Sequence, residues 1–170
     1  VMTLSKINEL RAAGSNISLK SKIKLSLIND KKEIIIKDSI TSFQNLIADV
    51  FLVSDNSASN ILIDFLGYNY FNLSMRNAGY ESTYLNHKFN PDPFIDCSWI
   101  ISTIDNDIIS SKENKITVLA SSDISNLKKG KKRFIDGEII NEPLDFSSKN
   151  RLSLTDMHNI MKNLIYPEIT

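Results

Sequence analysis

One cysteine, Cys97, stands among 170 residues, so no intrachain disulfide holds this chain together. A small buried residue is the reading of Cys97, since no histidine sits beside it in the sequence to activate a thiol. Glycine (5) and proline (4) are scarce, which excludes collagen-like and Gly/Pro-rich low-complexity chains. Charge of one sign is missing too: 20 Lys and Arg balance 20 Asp and Glu. A general nucleic-acid binder would show a basic excess. No apolar run approaches the roughly 18 residues that a membrane span requires.

What is present is ordinary globular composition, 42% hydrophobic and 24% charged, in a length suited to one domain. The single basic cluster, Lys128-Lys129-Gly130-Lys131-Lys132-Arg133, has no interleaved aromatics. It reads as a solvated loop, with a patch for phosphate or an acidic surface as the alternative. His87 and His158 lie 71 residues apart and have no ligand spacing, so no metal site or cofactor is expected. The chain opens on Val1 without a charged leader, which reads as a piece of a longer protein.

Periodicity marks five helices. Residues 1–13 carry Val1, Leu4, Ile7 and Leu10 on one face, with Gly14 as the stop. Thr41–Val53 places Phe43, Leu46, Ile47 and Val50 at i, i+3, i+4, i+7, and Thr41 with Gln44 has capping-box spacing. Ser57–Leu66 carries a stripe of Ala58, Ile61, Leu62, Phe65 and Leu66 and stops at Gly67. Tyr70–Ala78 stops at Gly79. The last, from Leu154 to Ile165, is capped by Ser153 and ended by Pro167.

Ile17, Leu19, Ile23, Leu25 and Leu27 alternate, which predicts an extended stretch with a short partner at Glu33–Lys37. Asp136-Gly137 between Arg133-Phe134-Ile135 and Glu138-Ile139-Ile140 predicts a hairpin. Ile116, Val118 and Ala120 alternate. Trp99-Ile100-Ile101 with Ile104, Ile108 and Ile109 reads as core, in helix or strand. The expected fold is mainly α with small β elements, a single helical subdomain over residues 1–170 with an irregular stretch at about 90–150.

The two clearest helices are joined by Ser54-Asp55-Asn56, within ITSFQNLIADVFLVSDNSASNILIDFLG. Alone the triplet is weak, because a polar turn that caps the next helix would look the same. Its setting, between a capped amphipathic helix and a helix with Ala58 and Asn60 at fixed offsets, resembles the class A β-lactamases and related penicillin-binding proteins. NLSMRNAGYESTYL, RLSLTDMHNIMKNLI and ELRAAGSNISLKSKI are similar to further segments of that family, and together the resemblance covers about two-thirds of the chain.

The resemblance implies a serine acyl-enzyme that acts on β-lactams or on the peptidoglycan peptides they mimic, and a periplasmic or cell-envelope location. It implies that this chain is the helical, all-α half of the β-lactamase/transpeptidase-like fold. Ser54 would relay a proton between a lysine and the departing nitrogen, since a hydroxyl can both accept and donate. Asn56 would grip a substrate amide without adding charge. Asp55 would hold the turn by accepting backbone N–H bonds, and Asn60 would brace a loop on the far side of the site.

Other family motifs are missing. The S-x-x-K weighed as a nucleophile is Ser21-Lys22-Ile23-Lys24, 33 residues before Ser54 and in a period-two stretch. The family separation is roughly twice that. No K-T-G triplet occurs. Glu81-Ser82-Thr83-Tyr84-Leu85-Asn86 has one residue too many for E-x-x-L-N, and near Asn90–Asp92, where the deacylating Glu is expected, only Asp92 is acidic. The chain alone is therefore expected to be inactive. Without the missing β-sheet half it is expected to self-associate through Val1–Leu10 and Met157–Ile165. The alternative is a non-catalytic β-lactamase-like binding or interaction module.

Overall fold

The structure, a computed structural model, describes residues 2–90, 92, 96–110, 116–117 and 127–166. The chain divides into two compact units, residues 1–71 with 88–116 and residues 72–87 with 117–170.

The first unit is built around a three-stranded antiparallel sheet in the order β2-β1-β3. The central strand β1 (Lys22–Ile28) buries Ile23, Leu25 and Leu27 on one face. Each such side chain contributes about 1.5–3 kcal/mol when fully buried, so alternation fixes which face turns inward. β3 (Ser98–Thr103) sets Trp99 opposite Leu27 and Ile101 opposite Leu25, which extends the same apolar face. β2 (Ile34–Ser42) pairs on the other edge and leaves Ile34, Ile35 and Ile40 exposed. Between the pairs Leu25↔Ser39 and Leu27↔Ile36, β2 holds one residue more than β1. Asp38 takes up this bulge with φ 53°, its N–H reaching Ser26 Oγ at 3.3 Å.

Three helices cover the apolar face. α1 (Met2–Ala12) places Ile7 in the core, and its Lys6 Nζ donates to the Leu66 carbonyl at 3.0 Å. That bond satisfies an orphan carbonyl at the end of α3 (Asn56–Leu66). α2 (Phe43–Val53) starts one residue later than the sequence pattern suggests. Its cap is Ser42, which accepts the Asn45 N–H at 3.2 Å, rather than Thr41 with Gln44. Phe43 of α2 and Phe65 of α3 meet with ring centroids 4.3 Å apart at the centre of the core.

α4 (Tyr68–Asn77) begins in the first unit and ends in the second. Within the second unit, Asn72 holds Leu85 through both its amide atoms, at 2.9 and 2.8 Å. Thr83 donates to Asp156 of α5 (Leu154–Ile165), whose cap is Ser153. Two small ladders complete it: β4 (Lys128–Lys129) with β7 (Leu144–Asp145), and β5 (Arg133–Ile135) with β6 (Glu138–Ile140). The β5–β6 turn is Asp136-Gly137, both at positive φ as a two-residue hairpin demands. Pro167 and the Val118–Ala120 part of the alternating stretch lie outside the described residues.

The mainly α expectation, and with it the all-α half of the family fold, is overturned. Helix accounts for 37% of the described residues and strand for 24%, in three small sheets, so the fold is mixed α/β. The reason lies in β2 and β3. An edge strand with apolar residues exposed has no inside to alternate against, and a short buried strand such as Trp99–Ile101 has the same composition as a buried helix turn. Among the described residues no helix is long and apolar enough to cross a membrane.

Candidate functional site

The site is assembled at the junction of α2 and α3. α2 ends at Ser54, whose backbone is left-handed, with φ 56° and ψ 42°, and whose N–H closes on the Asp49 carbonyl. For a residue with a Cβ this conformation costs roughly 1–2 kcal/mol, and glycine is the usual occupant of such a position. Ser54 is exposed, so the strain presents a hydroxyl to solvent at the tip of the turn. Ser54→Gly is expected to raise stability by about 1 kcal/mol, read as a higher urea midpoint. An unchanged or lower midpoint would mean that the serine side chain stabilises the turn by itself.

Asp55 is the N-cap of α3 and accepts the Ala58 N–H at 3.0 Å. It is partly exposed, since the helix start lies at the surface. Ser59 Oγ donates to the Asp55 carbonyl, which tightens the first turn. Asn56, the first residue of α3, donates from Nδ2 to the Asn90 carbonyl at 2.9 Å.

Asn60 is fully buried one turn further on. Its Oδ1 accepts the Phe89 N–H at 2.7 Å, and its Nδ2 donates to the Phe89 carbonyl at 3.0 Å and to Asp92 Oδ2 at 2.7 Å. Ser57 Oγ donates to the other Asp92 oxygen at 3.2 Å. Asp92, the acidic residue singled out by position in the sequence, thus has each carboxylate oxygen engaged by α3.

Two residues that the sequence does not single out finish the arrangement. Lys88 Nζ donates to Asp64 Oδ2 at 2.8 Å and to the Cys97 carbonyl at 2.6 Å, and Trp99 N–H donates to the same Asp64 oxygen at 2.8 Å. Burial pushes the Asp64 carboxyl above the usual carboxylate range, against the opposing pull of Lys88 and the two hydrogen bonds. Burial, and then the Asp64 charge, push the Tyr68 phenol up as well. A signal was present: Asp64 interrupts the apolar string Ile61-Leu62-Ile63 and Phe65-Leu66, and a charge there needs a partner.

The remaining candidates lie elsewhere. Lys24 is in strand β1 and Ser21 just precedes it, so they lack the one-turn helical offset of a serine–lysine pair. Ser21 Oγ is bonded to Ser18, and Lys24 Nζ to Asn106. Glu81 is exposed in the second unit. Lys128 and Lys129 are exposed in β4, and Arg133 pairs with Glu142 at 3.0 Å. In the second unit the His87 carbonyl accepts from Asn150, and His158 is exposed on α5. Among the described residues no group of three or more His, Cys, Asp or Glu is placed to hold a metal ion.

Chemically, the junction offers a hydroxyl on a strained turn, an uncharged amide beside it, and a loop tied down along α3. Searches of curated proteins and of solved structures returned no match. The sequence model of the β-lactamase enzyme family, in contrast, matches residues 10–170, and by that match over nearly its whole length the chain belongs to the β-lactamase enzyme family.

Proposed function

We propose that Ser54-Asp55-Asn56 is the second active-site motif of a serine acyl-transfer enzyme for β-lactams or the peptidoglycan peptides they mimic, working in the periplasm or cell envelope. The observation that carries this reading is Ser54 itself: a non-glycine residue in left-handed backbone, exposed, directly between two core helices of a β-lactamase family member. Strain of this kind is a reason to look for a function in the hydroxyl. Ser54 relays a proton between a lysine and the leaving nitrogen, and Asn56 donates its amide to a substrate carbonyl. Asp55 and Asn60 keep the turn and the facing loop in place. Asp92 is held on both carboxylate oxygens, by Ser57 and Asn60, and so fixes the facing loop to α3.

The test is acylation by a fluorescent penicillin in the protein carrying this chain. Asn56→Ala is expected to lower the second-order acylation constant by about 10- to 100-fold, or about 1–3 kcal/mol of transition-state binding, with the folded state intact. Acylation unchanged by Asn56→Ala would reduce the motif to a capped turn between helices. No acylation of the wild-type protein would favour the second reading, a binding module of this family without catalysis. That reading draws on the absence of a helical Ser-x-x-Lys among the described residues.

A further inference from the structure

The α3 residues that hold the loop are Asn56, Ser57, Asn60 and Asp64, at helical offsets of one, four and eight from Asn56. That spacing puts them on one face, a polar ladder about 12 Å long at 1.5 Å per residue. The loop is fastened to it at several points. Asn90 meets Asn56, Asp92 meets Ser57 and Asn60, and Phe89 meets Asn60. Lys88 and Trp99, on either side of the loop, both meet one oxygen of Asp64, and Lys88 also reaches Cys97. Lys88 and Trp99 are therefore gathered on a single half-buried carboxylate at the end of the ladder away from the Ser54 turn.

We propose that Asp64 and Lys88 are positioning residues that clamp the neck of this loop, so that the Asn90 carbonyl holds the Asn56 amide in its working orientation. The clamp deepens the proposed role of Asn56 and rests on it for its catalytic consequence. The physical case is one of linkage through rigid parts. Asn56 is at the first turn of a helix, where, among the described residues, its side chain is restrained by a hydrogen bond to the Asn90 carbonyl. Asn90 is only two residues from Lys88, so the neck and the Asn56 contact share one short stretch of backbone. Misplacing a binding group by about 1 Å is enough to cost up to about 100-fold in rate.

A single charge removal would leave the other charge buried and risks the fold, so the test removes both together. Asp64→Leu with Lys88→Met replaces the pair by apolar residues, an exchange that buried ion pairs often tolerate. In the intact chain, hydrogen exchange of the Phe89 N–H and of the Asn56 side-chain amide is expected to speed up by about tenfold or more, with Ile23 and Leu25 of the β1 ladder unchanged. In the protein carrying this chain, the apparent affinity for a fluorescent penicillin is expected to fall by about tenfold, with a smaller change in the rate at saturation. Unchanged exchange at Phe89 and Asn56 would overturn the clamp. Equal acceleration in β1 would overturn it too, because the pair would then serve the core alone. If the wild type takes up no penicillin, the acyl-transfer reading fails, and the exchange at Asn56 still decides the clamp.

Discussion

Lys88→Ala is expected to destabilise the first unit by about 3–5 kcal/mol. The side chain is about 10% exposed and its partner Asp64 about 15%, so neither charge is well hydrated. Removing the lysine leaves a half-buried carboxylate with the Trp99 N–H, and takes the donor from the Cys97 carbonyl. The loss exceeds that of a surface ion pair because the desolvation of Asp64 remains while its compensation is gone.

The effect should depend on pH in a defined sense. The Asp64 carboxyl already titrates above its ordinary value of 3.8, so the native state keeps its proton longer than the unfolded chain does. The contribution of this group to stability is then greatest below that ordinary value and falls as pH rises through the raised one. Without Lys88 the window widens upward. The deficit of Lys88→Ala, from urea unfolding, should thus be smaller at about pH 4 than at about pH 7. A deficit under about 1 kcal/mol at neutral pH, or one that grows on acidification, would contradict the buried pair.

Asn60→Leu should cost about 2–4 kcal/mol, although it adds apolar surface and fills nearly the same volume. Asn60 is fully buried and satisfies the Phe89 N–H, the Phe89 carbonyl and one Asp92 oxygen. Leucine leaves these groups without that partner in a place where water cannot replace it freely. The loss should come with faster exchange of the Phe89 N–H, while Ser57→Ala, which removes one longer contact to Asp92, should cost less. Equal costs for the two variants, or a neutral Asn60→Leu, would show that the loop does not depend on this amide.

The helices were legible for a simple reason: each carries its own evidence. α3 has its apolar stripe, Asp55 as cap and Gly67 as stop within thirteen consecutive residues, and the β5–β6 hairpin has Asp136-Gly137 at its turn. β1 was legible too, because Ile23, Leu25 and Leu27 face one core while their neighbours do not. The sheet as a whole was not. β2 was legible only over its first half, at Glu33–Lys37, and β3 is identified only by what it pairs with, 70 or more residues away along the chain.

The candidate site divides in the same way. The amino-acid sequence by itself determined the Ser54-Asp55-Asn56 junction, with Asn60 one turn beyond, because caps, stops and helical offsets are local. Only the tertiary structure decided that Ser54 is held in left-handed backbone, that Asn60 and Ser57 occupy both oxygens of Asp92, and that Lys88 and Trp99 share Asp64. The contacts at Asp92 and Asp64 join residues 24 to 35 positions apart. No periodicity reports them, since a buried charge finds its partner through packing and the cost of desolvation, and sequence distance plays no part in either.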